Sequence, residues 1–191
     1  ATMLALYALI EPEDHVISMY PTYQLLYDIP KSLGADVDLW EVEEDKGWLP
    51  DLDQLRRLIR PNTKMICINN ANNPTGALMD AAYLEELVAI AKEVDAYVFS
   101  DEVYRSFDQP APSIVDLYAK GISVNSLSKT YSIPGIRVGW VASNTEVADI
   151  LRDYRDYTMI CAGVFDDMVA TLVLENKEAI LKRNRQILEE N

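Results

Sequence analysis

The 191-residue sequence predicts an α/β fold, three layers deep, with a mainly parallel sheet flanked by helices. Three observations lead there. Short apolar runs alternate with longer amphipathic stretches, the pattern of repeated strand–helix–strand units. Two of the runs, KMICIN at 64–69 and AYVFS at 96–100, are almost continuously apolar, as strands buried on both faces are. The residues with chemistry to offer stand just after such runs: Asn73 after 64–69, Asp101 after 96–100 and Lys129 after 122–126. Open sheets of this class place ligands outside the carboxyl ends of their strands, so three groups distant in sequence converge on one edge.

Residues 2–10 read as a buried helix that ends at the turn Glu11-Pro12-Glu13-Asp14. HVISM at 15–19 is a short strand, and 21–32 a helix with Pro21 in its first turn, where proline is tolerated. A partly alternating strand spans 35–41. A helix over 51–59 carries the stripe Leu52, Leu55, Leu58 and Ile59, with Asp51 as its cap. After the strand at 64–69, a helix over 80–94 lines up Leu84, Leu87, Val88 and Ala91. Strands come next at 96–100, 122–126 and 137–142, the last read as buried. A helix at 145–157 precedes a long or broken helix over 164–190. The stretches around Gly47/Pro50 and at 109–113 read as surface loops.

Bulk properties narrow the function. With 17 basic and 31 acidic residues the net charge is −14, which argues against nucleic acid and anionic membrane surfaces, both of which require basic patches. No apolar run reaches membrane-spanning length and no secretory leader is legible. Cys67 and Cys161 lie far apart in apolar surroundings and read as buried free thiols of a reducing compartment, so the expectation is a cytoplasmic protein. There is no Cys/His cluster for zinc, no calcium-loop spacing and no glycine-rich nucleotide loop. His15, the one histidine, reads as structural or exposed.

The chemistry concentrates in SLSKTYSIPGIRVGW at 126–140, with Arg137 eight residues after Lys129. A lysine with hydroxyls before it and an arginine after it suits a phosphorylated aldehyde: the amine forms a Schiff base, while hydroxyl and guanidinium hold the phosphate. Two upstream motifs sharpen this, NNPTG at 72–76 and SDEVY at 100–104. Each residue also has a plain structural alternative. Lys129 can be a solvated surface lysine, Arg137 half of a surface ion pair, NPTG only a turn, and Asp101 a cap for Glu102-Val103-Tyr104. Ser128 can bond local backbone, and Tyr104 or Tyr23 can be a core tyrosine.

Taken together, these motifs resemble the class I/II aminotransferases, the pyridoxal 5'-phosphate (PLP) enzymes of the aspartate aminotransferase type. The resemblance implies the large PLP-binding domain of that fold. It assigns Lys129 to the Schiff base and to proton transfer at the substrate α-carbon, and Asp101 to the pyridine nitrogen. Tyr104 and Asn73 fall to the phenolic oxygen, Ser126, Ser128 and Arg137 to the phosphate, and Tyr23 to stacking on the ring. It implies amino-acid and keto-acid substrates and a homodimer. Other PLP reactions (elimination, decarboxylation, oxidation), a PLP-sensing effector domain and an inert fragment share the same residues and stay open.

The opening ATMLALYALI reads as a helix already under way, and LKRNRQILEEN stops in or just after another. The expectation is a middle, cofactor-carrying portion: residues 1–160 as a partial large domain, and 161–191 as a helix leading to a small C-terminal domain. The resemblance would place a glycine-rich phosphate turn before Ala1. It would place the arginine that grips the substrate carboxylate in that small domain, and nothing after Arg137 matches it.

Overall fold

The computed structural model describes residues 1–105 and 111–190. In chain order its elements are α1 (Thr2–Leu9), β1 (His15–Tyr20), α2 (Leu25–Ser32), β2 (Asp36–Glu41), α3 (Leu52–Leu58), β3 (Thr63–Asn69), α4 (Ala81–Glu93) and β4 (Tyr97–Asp101). After these come α5 (Ile114–Leu117), β5 (Gly121–Ser126), β6 (Gly139–Ala142), α6 (Thr145–Arg155), α7 (Val164–Glu175) and α8 (Lys177–Glu190). The strands form one sheet in the order β2-β1-β3-β4-β5-β6. All neighbours are parallel except β5 and β6, which run antiparallel.

The period of two along the strands builds three layers. On β3, Ile66 and Ile68 face one side, with Val98 of β4, and meet Leu55 of α3, Leu84, Leu87 and Val88 of α4, and Ile114 of α5. Met65 and Cys67 face the other side, with Phe99, and meet Leu6 and Leu9 of α1, Leu26 and Ile29 of α2, and Val147 and Leu151 of α6. A smaller cluster joins Leu127 and Tyr131, which flank the lysine, to Ala170 and Val173 of α7 and Leu181 of α8. The last two helices thus pack on the segment after β5 rather than on the sheet.

Caps fix the helix starts. Asp51 accepts the Asp53 N–H at 2.8 Å, the cap expected of it, and Asp80 accepts the Tyr83 N–H at 2.9 Å.

Several details depart from the sequence reading. The helix expected from Pro21 begins only at Leu25, and Pro30 lies inside it, close to its end. Two short 3₁₀ turns, at Glu44–Lys46 and Pro134–Ile136, and helix α5 were not foreseen. Of the loop expected at 109–113, residues 109 and 110 lie outside the described residues. Ser113 and Asp116 form a capping box that starts α5. Of the two alternatives over 164–190, a long helix or a broken one, the structure has the broken one: α7 and α8 part at Asn176, whose side chain donates to Leu172 O at 2.8 Å and competes with the helix ladder. The strand at 137–142 begins at Gly139 and is not buried, since Trp140 is exposed. Cys161 is exposed as well, whereas Cys67 is fully buried and burial raises its thiol pKa.

His15 is structural and wholly buried. Its Nδ1 lies 2.7 Å from Thr63 Oγ1 and its Nε2 3.1 Å from Asp38 Oδ2. Arg60 closes the group by donating to Asp36 and Asp38. This cluster sits at the amino ends of β1 and β3, opposite the edge where the chemistry-bearing residues gather. Among the described residues no helix is long and apolar enough to cross a membrane.

Candidate functional site

A cavity of about 440 Å³ opens at the carboxyl ends of β3, β4 and β5. That volume falls within the range that holds a small organic ligand. All eight residues singled out in the sequence line it: Tyr23, Asn73, Asp101, Tyr104, Ser126, Ser128, Lys129 and Arg137.

Asp101 is the last residue of β4 and is buried, with 3% of its surface exposed. Its Oδ1 accepts the Val103 N–H at 3.1 Å, so the cap reading describes part of its bonding. Burial, with Glu102 adding to it, pushes its pKa up to about 6, against the pull of that N–H and of Lys129. A carboxyl group here gains from a cation placed beside it.

Lys129 comes after the turn that ends β5. Its Nζ lies 5.6 Å from the centroid of the Tyr104 ring, within reach of the ring's negative face. The residue is exposed on the cavity wall. Its backbone is well anchored nonetheless. The neighbouring Thr130 hydroxyl lies 3.1 Å from both Val103 O and Arg105 O, and Asn184 of α8 donates to Thr130 O at 2.9 Å.

Arg137 sits just after the 3₁₀ turn Pro134–Ile136, in the left-handed conformation with φ at 54°. From Nη1 it donates to Pro134 O at 2.9 Å and reaches Ser128 Oγ at 3.5 Å. Its Nε and Nη2 donors make no hydrogen bond among the described residues. Ser126 Oγ accepts the Ser128 N–H at 3.3 Å, so the local backbone bonding at this turn is made by the Ser126 side chain. The result is a corner with two hydroxyls and a guanidinium, the donor set that suits a phosphate.

Asn73 and Tyr23 are exposed on the cavity wall, held by a network of asparagines that the sequence reading did not resolve. Asn72 accepts from Thr22 Oγ1 at 2.9 Å and donates to Pro21 O at 3.1 Å, which fastens the segment before Tyr23 to the NPTG turn. Asn69 accepts the Asn73 N–H at 2.7 Å. Buried Glu102, adjacent to Asp101, accepts from Ser113 Oγ at 2.8 Å and the Ile114 N–H at 3.0 Å, which ties the end of β4 to α5. The only sequence trace of this scaffold is the density of asparagines between 69 and 73. Among the described residues no group of three or more His, Cys, Asp or Glu side chains is placed to hold a metal ion.

Comparison with known proteins agrees with this geometry. A PLP-dependent aminotransferase from Streptococcus suis superposes with a TM-score of 0.97 at 74% identity, over 100% of this chain and 51% of that one. Aspartate aminotransferase of Thermotoga maritima is 33% identical over 178 residues, covering 90% of this chain and 47% of that protein. Capreomycidine synthase of Streptomyces vinaceus is 28% identical over 171 residues, covering 88% and 44%. The chain therefore spans about half the length of the relatives it matches. The family model for aminotransferase class I and II matches residues 1–191, the whole of the sequence, and the chain belongs to that family.

Proposed function

We propose that the protein uses pyridoxal 5'-phosphate to move an amino group between an amino acid and a keto acid. The observation that carries this reading is the single cavity in which an amine, a buried carboxyl group and a guanidinium–hydroxyl corner meet at adjacent strand ends. The donor set fits the cofactor. Lys129 Nζ would hold its aldehyde carbon, and Asp101 its ring nitrogen. Tyr104 and Asn73 would hold the phenolic oxygen, Tyr23 a ring face, and Ser126, Ser128 and Arg137 the phosphate.

When bound, the cofactor supplies an electron sink for the bond pair at the substrate α-carbon. The chain supplies position and protons. The raised pKa of Asp101 marks a carboxylate short of a cationic partner, and a protonated ring nitrogen is such a partner. Lys129 Nζ would take and return the proton at the substrate α-carbon. The Tyr104 ring beneath that amine limits where it can swing.

The same reading divides the chain into residues 1–160, a partial cofactor-binding large domain, and residues 161–191, which lead to a small domain. In support, α7 and α8 pack on the lysine segment instead of on the sheet. It includes a cytoplasmic homodimer. Tyr157, Val164, Phe165, Met168 and Leu172 stand exposed, four of them on α7, apolar surface of the kind that a partner covers. A second reading keeps the same cofactor for a different reaction on an amino acid. Its support is the similarity to a protein named a synthase rather than an aminotransferase.

The test is a PLP titration monitored by visible absorbance, then borohydride reduction and peptide mapping. A pyridoxyl label on Lys129, absent from Lys129→Ala, is expected. A label elsewhere, or none in the protein at its native length, overturns the assignment. Bleaching by an amino acid that a keto acid reverses identifies transamination; more than one equivalent of product per site from an amino acid, with no keto-acid acceptor present, identifies the second reading.

A further inference from the structure

We propose that Asn69 is a positioning residue of this site, one that sets the distance between Asn73 and Asp101 and so between the two ends of the cofactor ring they would hold. The inference rests on the cofactor reading of the cavity. Asn69 is the last residue of β3 and lies opposite Asp101 in the β3–β4 register. It is 1% exposed and is among the residues that line the cavity. Its Nδ2 donates to Asp101 O at 2.8 Å, and its Oδ1 accepts the Asn73 N–H at 2.7 Å. One buried amide thus joins the two strand-end loops that carry opposite ends of the site.

The residue type follows from the bonding. The position needs a donor and an acceptor on one short planar group. Aspartate lacks the donor, leucine lacks both, and glutamine sets the amide one carbon further out. Both bonds go to backbone, so Asn69 acts by placing its neighbours and need not touch the ligand. The adjacent Asn70 provides a contrast. Its side chain is also buried and bonds Met79 backbone on both sides, donating to O at 3.1 Å and accepting from N–H at 2.8 Å. It braces the loop, and it does not line the cavity.

The experiment compares Asn69→Ala, Asn70→Ala and Asn73→Ala with the wild type at native length. Two quantities are read with PLP bound: the pH midpoint of the visible absorbance and the cofactor dissociation constant. Thermal melting of the cofactor-free proteins is read alongside. If Asn69 places the Asn73 donor against the phenolic oxygen, its loss raises the midpoint by about one pH unit, in the direction of Asn73→Ala. Affinity falls about tenfold, and Asn70→Ala, with a comparable loss in melting temperature, leaves the midpoint where it was. Asn69→Ala in the Asn73→Ala background adds less than the two single changes together. Should Asn69→Ala not accumulate as folded protein, Asn69→Ser is read in the same way. An unchanged midpoint, or an equal shift in Asn70→Ala, overturns the positioning role while leaving the function standing. A wild type that takes no label on Lys129 overturns both.

Discussion

Asp101→Asn is expected to make the cofactor-free protein more stable at pH 7.5. The carboxyl pKa rises from 3.8 to about 6 on folding because the group is buried at the end of β4, a cost that the Val103 N–H, Lys129 and the chain's amino terminus offset only in part. Below pH 3.8 the group is protonated in both states and costs nothing. Between 3.8 and 6 the unfolded chain gives up its proton first; the folded state then binds more protons, and stability falls as pH rises. Above pH 6 the penalty is complete. A pKa raised by about two pH units corresponds to about 3 kcal/mol. Asparagine keeps an oxygen for the Val103 N–H and carries no charge. The variant should therefore gain about 2–3 kcal/mol at pH 7.5 over wild type, or about 5–10 °C in melting temperature for a chain of this size. The assay is urea unfolding of both cofactor-free proteins from pH 4 to pH 8, with the difference plotted against pH. It should be near zero at pH 4 and reach its plateau above pH 6. A flat difference, or an asparagine variant that is less stable at pH 7.5, would falsify the claim that burial of this carboxylate is offset only in part. The same variant should bind PLP more weakly, which sets stability against function at one position.

His15 is held below its usual pKa by burial and by Arg60, against the pull of Asp38 and Asp36, so its contribution is lost as pH falls below about 6.5; in the Asp101→Asn background this appears as a drop in urea stability from pH 7.5 to 5.5 that His15→Asn removes. Gly139→Ala puts a methyl group 2.6 Å from Asn125 O and 3.1 Å from Ser126 Cβ. It should cost about 1–3 kcal/mol in a thermal melt and weaken PLP binding about tenfold by displacing Ser126; a variant that binds PLP like wild type would show that the phosphate corner does not depend on this close approach. Leu87→Ala, at the centre of the layer under α4, should cost about 2–5 kcal/mol in urea unfolding with the pH profile unchanged.

The parts of the fold written in strong patterns were legible. β3 and β4 carry near-continuous apolar runs, and α3 and α4 carry aspartate caps before apolar stripes, so their bounds were read within a residue or so. The residues after those strands were legible for the same reason, because the direction of a parallel strand dictates where its end delivers a side chain. Features set by competition between weak signals were not. Nothing local to Pro21 says that the helix waits until Leu25, and the choice left open over 164–190, one long helix or a broken one, turns on a side-chain bond from Asn176 to Leu172 that composition does not announce. β6 is antiparallel because the chain from Ser126 to Gly139 is taken up by the lysine turn and a 3₁₀ turn, with no crossover helix to reverse it. Cys161 and Trp140 were read as buried from apolar neighbours alone, which do not specify what packs over them. The asparagine scaffold was missed because most of its bonds go to backbone, and backbone partners leave no mark in a sequence.

The pairing of Asn69 with Asp101 and of Asp101 with Val124 has a consequence for quality control. Side chains alternate faces along a strand, so a slip of one residue between β3 and β4 would turn Asp101 away from the cavity and drive apolar residues into the wrong layer. The error that ruins the core also erases the site. A refolded or engineered sample could retain compactness and helix content with shifted strands, and bulk probes of secondary structure would pass it. The pH midpoint of the colour developed with PLP would not, because on the proposed chemistry it depends on Asn73, Asp101 and Lys129 arriving together from three separate strands. That midpoint is a ruler for strand alignment as much as a sign of activity.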